Sequence, residues 1–208
     1  MKIDLYLVRH AQSLQPKGVF QPPQLSLSPI GLKQADKLAQ HLKKFHFDII
    51  LSSQLQRAVQ TAEIIAKKHS LEVKSSQQLD EWRKPSELFG LDFDHQLAKK
   101  IITIFQKNRQ KPDFIYSDDE SFNQVLTRAK QFLSSLAQKN KNSSVLAVTH
   151  IHLIRLMILS LLFKDKLTQA EFWQSTSHLP HDHTGISHLC FEADKGWQLI
   201  NWNDNCHL

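Results

Sequence analysis

The stretch IDLYLVRHAQS at residues 3–13 carries a short apolar run straight into Arg9 and His10. Such a run reads as a strand. Its end places a planar phosphate donor beside an imidazole at the carboxyl edge of a sheet, where open α/β folds build their sites. The chemistry this pair fits is phosphoryl transfer, because a nitrogen nucleophile that first accepts the group splits one displacement into two. His10 is the candidate nucleophile. The group in flight spreads negative charge over three oxygens, so it needs fixed positive donors more than covalent machinery. Arg9, Arg57 and His150 are of the type to supply them without a metal.

A second set of candidates lies in PHDHTGISH, where His181 and His183 flank Asp182. Ligands two apart can share one side of an extended segment, but a zinc site needs a third and fourth ligand, and none is obvious here. The preferred reading is a polar loop near the phosphate pocket, just before the terminal strands. No metal and no cofactor is expected. Trp82, Phe89, Phe93 and Trp173 fit a lid's own packing as well as a substrate platform.

The elements that must position these residues follow from periodicity. After Ser28-Pro29, a cap and first-turn pair, Leu32, Ala35, Leu38, Ala39, Leu42 and Phe45 recur at helical spacing. Asp48–Leu51 reads as a buried strand, and Ser52 or Ser53 as the cap of a second helix running to Lys68. Phe122, Val125, Leu126, Ala129, Phe132, Leu133 and Leu136 form one face of a helix over 121–140. Val145–Thr149 reads as a strand, Ile151–Phe163 as an apolar helix, and 185–192 and 197–202 as a closing strand pair around the turn 194–196. Strands alternating with helices predict a three-layer α/β/α fold with a mostly parallel central sheet. Between 79 and 121 the pattern loosens around a short helix near 97–108, which predicts a small lid or substrate-recognition insert.

At 208 residues and 41% hydrophobic content, the chain is expected to form one domain over 1–208. Its opening apolar run is interrupted by Asp4 and ends in charge, so it fits neither a signal peptide nor a membrane span. Two cysteines, Cys190 and Cys206, form no metal or redox spacing, and such sparse use points to a cytoplasmic protein. A net charge of +6 favours anionic partners in general. The lysines are scattered over solvated helix faces without interleaved aromatics, so nucleic acid is not an expected partner.

Three segments in order, LVRHAQS, LSSQLQRAVQTAEII at 51–65 and VLAVTHIHLIR at 145–155, resemble the motifs of the histidine phosphatase superfamily, the phosphoglycerate mutase-like family. LSLSPIGLKQADKLAQHL at 25–42 resembles that family's first helix, and the resemblance runs from Leu5 to about Arg155. It implies a phosphoglycerate mutase-like fold. It also implies that His10 is phosphorylated, that Arg9, Arg57 and His150 form the phosphate pocket, and that Glu81 protonates the leaving group. Asp80 and Glu87 are the alternatives for that proton. Ser13, Gln15, Ile151 and His152 fall in motif positions that contact phosphate or substrate.

The sequence departs from the family pattern at three places. Ala11 follows the first histidine where glycine is usual, and Pro16 stands where the family has asparagine, with Gln15 beside it. Ile151 replaces the glycine after the second histidine and His152 a glycine or small polar residue, so the pocket mouth is expected to be narrower or more basic. The resulting expectation is a metal-independent phosphomonoester hydrolase working through a phosphohistidine on a small phosphorylated metabolite or a phosphoprotein. A cofactor-dependent phosphoglycerate mutase and a non-catalytic phosphate-binding module are the alternatives. The interval from Glu81 to His150 is short for a mutase.

Overall fold

The computed structural model describes residues 1–14, 18–139 and 142–208. A six-stranded sheet forms the middle layer. Its strands are β1 (Lys2–Arg9), β2 (Ile49–Ser52), β3 (Val73–Ser75), β4 (Ser143–Thr149), β5 (Ile186–Glu192) and β6 (Gly196–Asp204), in the order β3-β2-β4-β1-β5-β6. The pairs β1–β4, β2–β4 and β2–β3 are parallel, and β5 and β6 add an antiparallel edge. The fold is the expected mostly parallel α/β sandwich.

Period-two alternation splits the sheet's apolar residues between two cores. Leu5, Leu7, Val145 and Ala147 face one way and pack with α4 (Phe122–Lys139), α5 (Ile151–Phe163) and α6 (Gln169–Thr176). Val8, Leu146, Val148 and Ile50 face the other and pack with α1 (Pro29–Leu42) and α2 (Gln56–His69). Helix α5 is apolar nearly all round, with Leu153, Ile154, Leu156, Met157, Ile158 and Leu159 buried, because it lies under both α4 and α6. No helix among the described residues is long and apolar enough to cross a membrane.

The 79–121 segment contains α3 (Gln96–Lys107) and a one-turn helix at Ser86–Leu88. It has a small core of its own, Leu88, Ala98 and Ile101, against which Phe20, Phe105 and Tyr116 pack. That satellite core gives the insert packing of its own.

Two details of the sequence expectation are corrected. Neither Ser52 nor Ser53 is the cap residue of α2: Leu55 holds that position without a side-chain bond, and Ser53 Oγ instead accepts from the Leu55 amide at 3.1 Å, one residue before the helix. Strand β3 and helix α6 were not anticipated. The first is only three residues long, while α6 carries a full capping box between Thr168 and Glu171 that the sequence TQAE announces.

Candidate active site

Parallel pairing brings the strand ends together. Arg9 is in register with Thr149, and the His10 amide donates to the Thr149 carbonyl at 2.9 Å. His10 and His150 therefore leave adjacent central strands side by side, with ring centroids 4.9 Å apart. Both are almost fully buried. The neighbouring strand β2 leads through Ser53 into α2, whose second residue is Arg57.

The His10 ring is fixed by its own chain. Its Nδ1 lies 2.7 Å from the Ala11 carbonyl, which can only accept, so Nδ1 carries the proton and Nε2 the lone pair. Arg57 Nε donates to that Nε2 at 3.2 Å, and Arg57 Nη1 donates to the Pro22 carbonyl at 3.2 Å. Thr61, one turn further along α2, accepts from the Ala11 amide at 3.1 Å and donates to the Arg57 carbonyl at 2.7 Å. Burial, followed by the positive groups around it, holds the His10 pKa well below the ordinary histidine value. The imidazole is neutral, and its Nε2 lone pair faces Arg57.

Arg9 points into the loop 178–185, where its Nη1 donates to the His181 carbonyl and its Nη2 lies 3.5 Å from His183 Nε2. His183 Nδ1 donates to the His10 carbonyl at 3.1 Å, which leaves Nε2 as the acceptor facing Arg9. Among the described residues, Arg9 Nε is buried without a partner. Burial lowers the pKa of Arg9 and of Arg57 to about 10, so both remain cations at neutral pH.

The loop is pinned from outside. Arg155 donates twice to the Leu179 carbonyl, at 2.9 and 2.7 Å, and Asn203 Oδ1 accepts from the Asp182 amide at 2.8 Å. A Cβ at Gly185 would lie 2.2 Å from that same Asn203 oxygen, so glycine is required for the approach.

His150 completes the pocket. Its Nε2 donates to Ser53 Oγ at 2.9 Å, Ser53 Oγ donates to Asp80 Oδ1 at 2.8 Å, and the Gln54 amide donates to the same Asp80 oxygen at 2.7 Å. This chain leaves His150 Nδ1 buried and without a partner among the described residues. His150 also sits at the N-cap of α5, whose first amides and dipole favour an anion. Burial and then Arg57 hold its pKa well below the ordinary value.

Glu81 closes the mouth. Its Oε1 accepts from the Trp82 amide at 2.9 Å, and its Oε2 lies 3.2 Å from His152 Nδ1. Burial pushes the Glu81 pKa up, but His152, His150 and the Trp82 amide together pull it below the ordinary carboxylate range. The carboxyl is thus an anion before phosphate arrives. Arg128 on α4 positions this segment by donating to the Gln78 and Asp80 carbonyls at 3.2 and 2.7 Å while paired with Glu120 at 2.7 Å.

The sequence model of the histidine phosphatase superfamily (branch 1) matches residues 5–205. The chain belongs to that superfamily. It is 30% identical to phosphoserine phosphatase 1 of Hydrogenobacter thermophilus, over 99% of this chain and 94% of the relative. It is also 30% identical to the metal-independent phosphoserine phosphatase of Arabidopsis thaliana, over 99% of this chain and 83% of that one. Among solved structures, the phosphoserine phosphatase of Entamoeba histolytica in complex with 3-phosphoglyceric acid superposes with a TM-score of 0.78. It is 27% identical, and the match covers 99% of each chain.

Of the residues that the superfamily resemblance singled out, Arg9, His10, Arg57, Glu81, His150 and His152 converge on one pocket. Ile151 opens α5 half-buried beside His150. Ser13 is buried and pairs its backbone with Leu27, and among the described residues no hydrogen bond joins its side chain to the pocket. Gln15 lies outside the described residues, as does Pro16. Asp80 is tied to Ser53 and Gln54, and Glu87 is exposed on the Ser86–Leu88 turn.

Sequence reasoning missed the roles of His183, Ser53 and Arg128. His183 was legible only as part of a polar loop, and the Arg57–Thr61 spacing was the one local hint of the α2 anchor. The metal reading of His181 and His183 meets prior commitments: His181 bonds the Ser187 hydroxyl at 3.0 Å and His183 the His10 carbonyl. Among the described residues, metal-ligand types cluster at His41, Asp204 and Cys206. None of those three bonds to the pocket residues.

Proposed function

We propose that this member of the histidine phosphatase superfamily hydrolyses small phosphomonoesters through a phosphohistidine on His10, without a metal. The observation that carries the reading is the His10 tautomer. Nδ1–H is held by the Ala11 carbonyl, and a lone pair on Nε2 is ringed by Arg57, Arg9 and His150.

In the first step Nε2 attacks phosphorus, the N–P bond forms and the bond from phosphorus to the leaving oxygen breaks. Arg9, Arg57, the α5 amides and His150 Nδ1 face the phosphoryl oxygens. A bound dianion raises the pKa of His150, so Nδ1 gains a proton and donates to it while Nε2–H stays on Ser53. The leaving oxygen takes a proton from Glu81. That proton arrives with the substrate, because phosphate charge beside the carboxylate raises its pKa and a monoanionic ester carries a proton of its own. In the second step water attacks phosphorus, its proton returns to the Glu81 carboxylate, and the N–P bond breaks to release phosphate and neutral His10.

The names of the two 30% identical relatives make phosphoserine a first substrate to try. The test is rapid-quench labelling with a ³²P-ester. Acid-labile, base-stable label on the wild type, absent from His10→Ala along with turnover, is the expected result. Label on serine or aspartate, or retained activity in His10→Ala, would overturn the reading. Efficient conversion of 3-phosphoglycerate to 2-phosphoglycerate with a bisphosphoglycerate primer would instead favour a mutase.

A further inference from the structure

Next to Glu81 lies a cavity of about 210 Å³ walled by Phe20, Trp82, Phe105, Phe114, Phe122 and Trp173. Two parts of its wall neighbour residues of the phosphate pocket. Trp82 follows Glu81 in the chain and Trp173 packs 5.8 Å from the His152 ring, while Phe20 lies two residues before Pro22, the acceptor of Arg57.

Of the five charged side chains on its wall, Arg83 aside, Asp119, Glu120, Lys84 and Arg109 fall into two classes. The acids are already committed. Arg128 grips both Glu120 oxygens at 3.0 and 2.7 Å, and Asp119 Oδ1 accepts from the Tyr116 and Ser117 amides at 2.9 Å each. The bases are not. Lys84 Nζ stands 4.0 Å over the Trp82 ring and 5.8 Å from Trp173, and Arg109 Cζ lies 5.9 Å from Trp173. Among the described residues neither cation forms an ion pair; indole faces are their neighbours. Burial lowers the Lys84 pKa to about 8, partly offset by Glu81, Asp119 and Glu120. A desolvated ammonium held on an aromatic face gains most from an anion that reaches it inside the same apolar enclosure.

We infer that this cavity receives the leaving group, and that it selects esters joining an aromatic body to an anionic group, which Lys84 and Arg109 meet over Trp82 and Trp173. The inference rests on the phosphatase reading. A serine leaving group fits the cavity poorly for two reasons. Its carboxylate could meet the cations, but its ammonium finds Glu120 already paired with Arg128, and its small body covers little of the aromatic wall.

The experiment compares kcat/KM for three esters with alkoxide leaving groups: phosphoserine, 3-phenylpropyl phosphate and its ring-carboxylated analogue. The carboxylated ester is expected to exceed phosphoserine by roughly tenfold or more. Lys84→Met should cut the ratio of carboxylated to plain aryl ester by about tenfold, and Arg109→Gln should lower it in the same direction. Trp173→Ala should lower both aryl esters relative to phosphoserine. Phosphoserine as the best substrate, or a ratio unmoved in both Lys84→Met and Arg109→Gln, overturns the inference. Labelling of His10 is followed with all three esters. Label with an unmoved ratio sinks only the leaving-group site, whereas no label with any ester sinks the phosphatase reading itself.

Discussion

Arg57 Nε donates a hydrogen bond to His10 Nε2 at 3.2 Å, the lone pair that the proposed attack on phosphorus uses. The guanidinium both protects the neutral ring and must release it. In the proposed mechanism, an incoming phosphoryl oxygen, charged and so a better acceptor than the imidazole, draws the Arg57 N–H away and frees Nε2.

This coupling sets the pH profile. Arg57 is one of the charges that lower the His10 pKa, after burial and His150. Removing it raises that pKa, so protonation of His10 begins at higher pH. In Arg57→Gln the acid limb of kcat/KM is expected to move upward, with a loss of about 10²- to 10³-fold at the optimum from the missing phosphate donor. An unmoved limb would show that Arg57 does not control the nucleophile.

Glu81 and His152 form a second coupled pair. If Glu81 delivers the proton, Glu81→Gln should slow alkoxide leaving groups by roughly 10²- to 10⁴-fold and activated aryl phosphates much less. His152 lowers the Glu81 pKa, so His152→Ala lets the carboxyl keep its proton to higher pH. The alkaline limb for alkoxide esters should therefore move up. Parallel leaving-group plots for wild type and Glu81→Gln would rule the carboxyl out.

Acid should loosen the fold through the loop histidines. Burial lowers the pKa of His181 and His183 from 6.5 to about 4, so between those values the unfolded chain binds more protons than the native one. Stability then rises with pH across that window and is lost on acidification through it. The Tm is expected to fall between about pH 6.5 and about pH 4, less steeply in His183→Asn. A flat Tm over that range would mean that the two rings are not held neutral.

Gly31 tests the link between α1 and the nucleophile. A Cβ there would meet the Gln12 carbonyl oxygen at 2.0 Å, and that oxygen also accepts from the Ser28 amide at 2.9 Å. Gly31→Ala should push the segment after His10 away, costing about 1–3 kcal/mol by denaturant unfolding and lowering kcat as well. Wild-type stability in this variant would show that α1 can slide aside freely.

Much of the protein was readable from local pattern. The apolar runs in 3–9 and 145–148, the 3.6-residue stripes of α1 and α4 and the continuously apolar 151–163 report burial directly, because each element must hide one face or both. Arg9-His10 and His150 were legible because each ends or follows such a strand. Tertiary structure decided what no window of sequence contains. The tautomer of His10 depends on a carbonyl one residue away, but its neutrality depends on burial and on Arg57, His150 and His183 from three separate segments. The same holds for the ionised state of Glu81, set by His152 across 71 positions, and for the Asp80–Ser53–His150 chain. Electrostatic and hydrogen-bond terms fall off over a few ångströms in space, not along the chain, so only the folded register of β1, β2 and β4 fixes which groups feel one another.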